Sequence, residues 1–182
     1  LYIHVNNAND MRDAIEFTTK YNITKVVLVG AEDALKIVDL LIERNISLIL
    51  NRVHRLPKSE DSPIDEQFTQ AKKLEDAGVI FCLSYNGDME AMGARNLPFT
   101  AGTTVAYGQE YENAIKSITL NTAKILGIAD MVGSIESGKN ATFFISSGDA
   151  LDMRTNNLEK AFINGISVNL NNHQKELFEK YR

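Results

Sequence analysis

Four short apolar segments in the first half of the chain alternate with amphipathic segments. The apolar segments are rich in β-branched and aliphatic residues and barely alternate with polar ones, which is typical of strands buried on both faces of a parallel sheet. The intervening segments have helical periodicity, so the order strand–helix–strand predicts right-handed βαβ units in an α/β sheet. The four predicted strands are Leu1–Val5, Lys25–Val29, Ile46–Leu50 and Val79–Leu83.

Three helices are predicted between these strands. The first can be capped by Asn9 or Asp10, and the second begins at about Glu32. The third buries Leu74 and stops at Gly78, because glycine is the usual residue just past a helix end. After the fourth strand we expect a loop with a short helix, followed by two further short helices. These segments are 87–107, Glu110–Ile118 and Asn121–Leu126.

Beyond residue 128 the pattern changes from α/β to β. The predicted strands are Val132–Ile135, Ala141–Ser146 and Leu158–Leu170, the last with a turn at Asn164-Gly165. A charged helix over Asn171–Tyr181 closes the chain. We therefore expect two parts: an α/β part over residues 1–128 and a small β part with a C-terminal helix over residues 129–182.

Composition narrows the class of protein. Of 182 residues, 44% are hydrophobic and 24% are charged, which is ordinary for a globular chain. The net charge of -5 and the lack of a basic patch with interleaved aromatics argue against nucleic acid as a partner. No run of about 18 apolar residues predicts a membrane span. The single cysteine, Cys82, lies in an apolar segment and is interpreted as a buried small hydrophobe.

The chain begins at Leu1, directly in a strand-like segment, which we interpret as a piece of a longer protein. The sequence therefore leaves localisation open between the cytoplasm and the periplasm or another exported location.

The candidate chemistry lies where the predicted strands end. In parallel α/β folds the functional groups sit at the carboxyl ends of the strands. Nucleotide-binding, HExxH and GxSxG motifs are absent from the sequence, so no short motif competes with this location. The residues at these ends are His4, Asn6, Asn7, Gly30, Glu32, Asn51, Arg52, His54, Ser84, Tyr85, Asn86 and Asp88.

Three consecutive segments carry a resemblance to a known family. They read NLPFTAGTTVAYG (Asn96–Gly108), AIKSITLNTAKILGI (Ala114–Ile128) and VGSIESGKNATFFIS (Val132–Ser146). This order resembles the amidohydrolase superfamily, nearest to imidazolonepropionase-like members, in which T-x-N-P-A-K-x-L-G precedes G-S-(I/L)-x-x-G-K-x-A-D. Here Thr122 replaces the usual proline and Thr142 the usual aspartate.

The resemblance implies a particular architecture. Leu1–Val5 would be the fifth strand of a (β/α) TIM-type barrel and Val79–Leu83 the eighth. The chain would then be a partial barrel of strands five to eight, followed by a small β-sandwich portion and a C-terminal helix. The first four strands, with the family's HxH pair, would belong to a missing N-terminal half.

The resemblance also implies a metal site. Family members usually place a metal-binding histidine after strand five, a second after strand six and an aspartate after strand eight, where it is ligand and general base. His4 falls on the first position and is the candidate metal ligand. Gly30 stands at the second position and Asn86 at the third, with Asp88 two residues on.

His54 and Asp88 are the candidate catalytic residues. The alternatives stay open: His54 could belong to a plain loop, Asp88 to a solvated acidic loop, and His4 could be a hydrogen-bonded histidine at the rim.

Two functions compete at this point. The first is a fragment of a metal-dependent hydrolase that acts on a cyclic amide or another non-peptide C–N bond and is inactive by itself. Its parent would use a divalent metal, zinc above all, and a small-molecule substrate, while the fragment need hold no metal. The alternative is a catalytically decayed barrel that binds a ligand or partner. An independent doubly wound α/β domain is a third, less favoured hypothesis.

A half barrel would expose two strand edges and an apolar face. The isolated chain should either pair with a second copy or flatten into an open sheet, and we predict a homo-oligomer. The missing N-terminal half of the same protein would be a further partner.

Overall fold

The computed structural model of the protein describes residues 1–86 and 89–182, and its first sheet consists of four parallel strands. The strands pair in sequence order, with His4 beside Val29 and Gly30 beside Leu50. This arrangement confirms the predicted α/β class. The strands are β1 (Tyr2–Val5), β2 (Val27–Gly30), β3 (Ser47–Leu50) and β4 (Phe81–Leu83).

Helices follow the strands as the sequence predicts, with differences at their ends. α1 begins after Asn7, whose side chain accepts a hydrogen bond from the Asp10 backbone N–H at 2.9 Å. The predicted cap at Asn9 or Asp10 was wrong, because Asn7 already has the extended backbone that a cap needs. The helices are α1 (Ala8–Lys20), α2 (Val38–Glu43), α3 (Glu66–Asp76), α4 (Glu90–Gly93), α5 (Leu97–Ala106), α6 (Tyr111–Ile118), α7 (Leu120–Leu126) and α8 (His173–Tyr181), with 3-10 turns at Ala34–Ile37 and Ala94–Asn96.

The core lies between the parallel sheet and its helices. Apolar side chains from α1, β2, α2, β3 and α3 are almost completely shielded from solvent there; they are Met11, Leu28, Leu41, Leu48 and Leu74. Cys82 is also buried, and burial raises the pKa of its thiol to about 11. The thiol therefore stays neutral at ordinary pH, as expected for a packed side chain.

Helix α7 contacts both outer strands of the sheet near their amino ends. The Asn121 side-chain N–H donates to the Phe81 carbonyl at 3.1 Å, at the start of β4. The Tyr2 hydroxyl, at the start of β1, donates to the Ile125 carbonyl at 3.1 Å. This helix therefore contacts both outer strands, β1 and β4, at their amino ends, which lie opposite the carboxyl ends of the strands.

The last third of the chain forms an antiparallel sheet of three strands in the order β5-β6-β7. The turn between β6 and β7 is at Asn164-Gly165, as predicted, and both residues have positive φ. Phe143 and Phe162 face each other across β5 and β6 with ring centroids 5.1 Å apart. The strands are β5 (Phe143–Ser146), β6 (Leu158–Ile163) and β7 (Ile166–Ser167).

The predicted strand at Val132–Ile135 was wrong, since Val132, Gly133 and Ser134 form bends and Ile135 has no regular secondary structure. Gly133 has a φ of +99°, and a β-carbon at this position would lie 3.1 Å from the Leu120 Cα. The chain packs against α7 here instead of extending. The division at residue 128, and the partial barrel with a β-sandwich portion, remain predictions.

None of the helices in residues 1–86 and 89–182 has both the length and the apolar character that crossing a membrane requires.

Candidate functional site

The carboxyl ends of the four parallel strands surround a cavity. Backbone hydrogen bonds continue the sheet one residue past the strands, from Ala31 N–H to the Val5 carbonyl and from Asn51 N–H to the Gly30 carbonyl. The side chains that follow the strands are thereby brought to one edge of the sheet. The cavity has a volume of about 370 Å³ and is lined by His4, Val5, Asn6, Asn7, Asp10, Val29, Gly30, Asn51 and Asn86.

The structure places the three predicted site residues differently. His4, the predicted metal ligand, lines the cavity and is exposed to solvent. His54 is not among the lining residues, and its Nε2 lies 2.8 Å from the Thr103 hydroxyl of α5. Asp88 lies outside the described residues. The roles of all three in metal binding or catalysis therefore stay predictions.

Three asparagines connect the ends of β1, β3 and β4 by side-chain hydrogen bonds. Asn51 donates from Nδ2 to the Asn6 Oδ1 at 3.2 Å. Asn86 donates from Nδ2 to the Asn51 Oδ1 at 3.0 Å. We call Asn6, Asn51 and Asn86 the asparagine chain. All three were predicted to follow strand ends, but nothing in their spacing indicated that they bond to one another.

An ion pair between Glu32 and Arg55 contacts Asn51, the middle residue of the asparagine chain. Asn51 Nδ2 also donates to Glu32 Oε1 at 3.2 Å, and the same oxygen pairs with the Arg55 guanidinium at 3.3 Å. Both charged side chains are about four-fifths shielded, with 21% and 20% of their side-chain surface exposed. The Arg55 guanidinium therefore compensates the charge of Glu32. The other two side chains bonded to Asn51 are the neutral amides of Asn6 and Asn86.

Because Gly30 has no side chain, the Asn6 side chain can occupy the space next to it. Its φ is +100°, a region that residues with a β-carbon rarely adopt. A β-carbon there would overlap the Asn6 Oδ1 and lie 3.1 Å from the Val5 carbonyl oxygen. Glycine at this strand end therefore adopts the positive φ without strain and leaves room for the Asn6 side chain.

His54 is held outside the cavity by packing and by a hydrogen bond. Its ring centroid lies 6.2 Å from that of Phe68, which stacks on Tyr107 at 4.8 Å. Partial burial of the ring and the nearby Arg52 charge both lower the pKa of His54. Sequence analysis gave no signal for Thr103 as its partner.

We expect His54 to weaken the protein as the pH falls below about 6.5, the usual pKa of histidine in an unfolded chain. Because its pKa is lower in the folded protein, the unfolded state binds more protons, so acidification favours unfolding. Urea unfolding at several pH values should show a shallower pH dependence for His54→Gln than for the unchanged protein. His173→Gln, at an exposed histidine, is the control. The same pH dependence of unfolding in the unchanged protein and in both variants would contradict the expectation.

The fold and the site together define an α/β protein that gathers its polar side chains at the carboxyl ends of a parallel sheet, as (β/α) barrels do. Residues 2–171 match the amidohydrolase family. The chain belongs to the amidohydrolase family. Members of this family are typically metal-dependent.

Comparison with individual proteins agrees with this assignment. Over 87 residues, 47% of this chain, it is 31% identical to an imidazolonepropionase from Phocaeicola vulgatus, and the aligned segment is 21% of that protein. An amidohydrolase from Thermotoga maritima MSB8 superposes with a TM-score of 0.76 and 28% identity, over 92% of this chain and 43% of the other. A Xaa-Pro dipeptidase with methionine bound in its active site has a TM-score of 0.67 at 21% identity, over 92% and 44% of the two chains, which shows a shared fold alone. The chain spans less than half the length of these solved relatives.

The described part of the cavity lining does not by itself supply the three ligands of the metal centre that this family typically uses. Among residues 1–86 and 89–182, no group of three His, Cys, Asp or Glu side chains could hold a metal ion. His4 and Asp10 are the two metal-competent side chains in the described lining, whereas catalytic zinc takes three protein ligands. The other polar groups are amides, which are poor ligands for zinc.

Proposed function

We propose that this chain is the carboxyl-terminal half of an amidohydrolase-type (β/α) barrel. In this proposal it supplies part of a small-molecule binding site and does not hydrolyse a substrate by itself. The observation that carries the proposal is the cavity at the carboxyl ends of the four parallel strands. Its lining of amides beside His4 suits hydrogen bonding to a small polar molecule.

The lack of hydrolysis by the isolated chain follows from the groups at the cavity. The Asn86 amide cannot take up a proton, so it cannot be the general base that the family places after the last strand. His54 is engaged with Thr103 at 2.8 Å and lies outside the cavity lining. Asp88 remains the predicted base, and His54 a predicted catalytic residue, of a complete site.

A second candidate function concerns the complete protein. The 31% identity to an imidazolonepropionase favours a hydrolase that opens a cyclic amide or another non-peptide C–N bond. Such a parent would use a divalent metal, with zinc as the first expectation, and His4 would be the ligand from this half. The remaining ligands would have to come from the missing N-terminal half, since the described residues of this chain offer too few.

A hydrolysis assay separates these functions. We expect no turnover when the isolated chain is offered a panel of cyclic amides, either with added zinc or with EDTA. Turnover by the complete parent that EDTA removes would favour the hydrolase. No turnover by either protein would favour a binding module. Metal-dependent turnover by the isolated chain would contradict the proposal that it does not hydrolyse alone.

We expect the isolated chain to form a homo-oligomer. β1 is an outer strand of the parallel sheet, and an unpaired strand edge is a template for association. Large apolar side chains of the second sheet are exposed as well, with Ile163 at 57% and Ile166 at 74%. Light scattering coupled to size exclusion should therefore report a mass of at least two chains. A monodisperse monomer would contradict this expectation.

A further inference from the structure

We infer that Thr103 is a positioning residue for His54, whose neutral ring it holds with the proton on Nε2, and that the loop between β5 and β6 keeps Thr103 in place. Nδ1 is then the ring atom of His54 that can take up a proton. We call residues 147–157 the Leu151 loop. A part in proton transfer rests on the proposed function, whereas the position of the ring proton is a property of this chain alone.

The hydrogen bonds of the Thr103 hydroxyl decide which ring nitrogen carries the proton. The hydroxyl oxygen lies 3.0 Å from the Phe99 carbonyl oxygen, one turn earlier in α5. A carbonyl only accepts hydrogen bonds, so the single hydroxyl proton belongs to this contact. The His54 Nε2 lies 2.8 Å from the same hydroxyl oxygen, which therefore accepts from it. Both contacts are satisfied when Nε2 carries the proton and Nδ1 carries the lone pair.

The opposite form of the ring would lose one of these contacts. With the proton on Nδ1, the bare Nε2 would need the proton of the Thr103 hydroxyl. The hydroxyl oxygen would then face the Phe99 carbonyl oxygen with no proton between them. One lost hydrogen bond corresponds to a factor of about ten in the ratio of the two forms.

Aromatic packing and a nearby charge act on the same ring. Its centroid lies 6.2 Å from that of Phe68 in α3, and Phe68 stacks on Tyr107 at 4.8 Å. Partial burial and the positive charge of Arg52 both lower the pKa of His54. The ring is therefore neutral near pH 7, where a single nitrogen carries a proton.

The Leu151 loop packs against α5 directly beside Thr103. A β-carbon at Gly102 would overlap the Leu151 carbonyl oxygen, so the loop backbone touches the helix at this residue. The Leu151 side chain is only 6% exposed and belongs to the same core as Ala101 of α5. The loop thus contacts the segment of α5 that immediately precedes Thr103.

Asp149 holds the Leu151 loop in this position. Its Oδ1 accepts the Leu151 backbone N–H at 2.8 Å and the Tyr111 hydroxyl at 2.7 Å. Tyr111 is the first residue of α6, which packs against α5. The loop is therefore tied to both helices, and through α5 the β part of the chain contributes to the placement of a histidine that follows β3.

The ring signals of His54 in ¹⁵N NMR spectra test the inference. Near pH 7 we expect Nε2 to have the shift of a protonated nitrogen and Nδ1 that of an unprotonated one, with the signals assigned by their loss in His54→Gln. Thr103→Val removes the hydroxyl and should speed exchange of the ring proton with water about tenfold, as expected for one lost hydrogen bond. Thr103→Ser retains the hydroxyl and should restore the slow exchange.

Thr69→Val is the matched control. The Thr69 hydroxyl also bonds to backbone carbonyls of the preceding turn, those of Asp65 at 3.2 Å and Glu66 at 3.3 Å. Its loss should leave the exchange of the His54 ring proton unchanged.

Gly102→Ala tests the Leu151 loop. Alanine favours a helix interior over glycine, so the substitution does not weaken α5 itself. The new β-carbon would displace the Leu151 carbonyl. We therefore expect several-fold faster exchange of the His54 ring proton, caused by movement of the loop.

The outcomes separate this inference from the proposed function. A proton on Nδ1 of His54 would overturn the inference, and so would equal exchange rates in Thr103→Val and the unchanged protein. Unchanged exchange in Gly102→Ala would overturn the role of the Leu151 loop alone. A complete parent without turnover would count against the hydrolase, whereas the ring signals of this chain would stay as expected.

Discussion

Replacing Gly30 with alanine should lower the free energy of unfolding by about 2 kcal/mol, chiefly because a residue with a β-carbon is strained in this backbone conformation. The backbone at this position has a φ of +100°. The new β-carbon would also overlap the Asn6 Oδ1 and approach the Val5 carbonyl oxygen. Urea unfolding followed by circular dichroism measures the loss.

Gly78→Ala is the matched control for this variant. Gly78 also has a positive φ, of +77°, but a β-carbon there would meet nothing within 4 Å. The control should therefore show the conformational cost alone, about 1 kcal/mol. Equal losses in both variants would mean that the contact between Gly30 and Asn6 is unimportant. Gly30→His faces the same obstacle, so introducing the family's histidine should not by itself create a metal ligand.

The second large effect is expected for Leu48→Ala, at about 3 to 4 kcal/mol, which is typical of a buried leucine replaced by alanine. Leu48 is completely shielded from solvent in the third strand of the sheet, between Leu28 and Phe81 on the neighbouring strands. Because single domains are stable by only about 5 to 15 kcal/mol, this one change removes a large share of the total. Thermal unfolding should show a clearly lower midpoint.

Leu56→Ala makes the same chemical change at a residue that is 86% exposed. Its effect on stability should be within about 0.5 kcal/mol of zero, as for most surface substitutions. A comparable loss in the two variants would indicate that Leu48 does not belong to the cooperative core.

Much of the parallel sheet could be predicted from the sequence because its signal is local. Each strand is a short apolar segment of its own, so the four strands and their helices follow from hydrophobicity alone. Predictions were wrong where the local structure depends on contacts with residues that are distant in the sequence. The segment Val132–Ile135 has strand composition, yet packing of Gly133 against α7 bends it. The first helix is capped by Asn7, one of several residues that could cap it.

The position of the candidate site could be predicted from the sequence, but the hydrogen bonds between its side chains could not. Parallel strands bring their carboxyl ends to one edge, which is why His4, Asn6, Asn51 and Asn86 all line one cavity. Which side chains bond to each other depends on loop conformations that the sequence pattern does not carry. His54 illustrates this, since its strand also ends at that edge while its side chain turns to Thr103.

The link between β1 and helix α7 has a consequence for how the chain is made. During synthesis Tyr2 emerges from the ribosome long before its partner Ile125, which lies 123 residues later. The contact between β1 and α7 therefore cannot form until most of this polypeptide has been translated. Such delayed, non-local closure slows folding and exposes nascent chains to aggregation, so chaperone dependence should be greatest for ribosome-bound chains that end before α7.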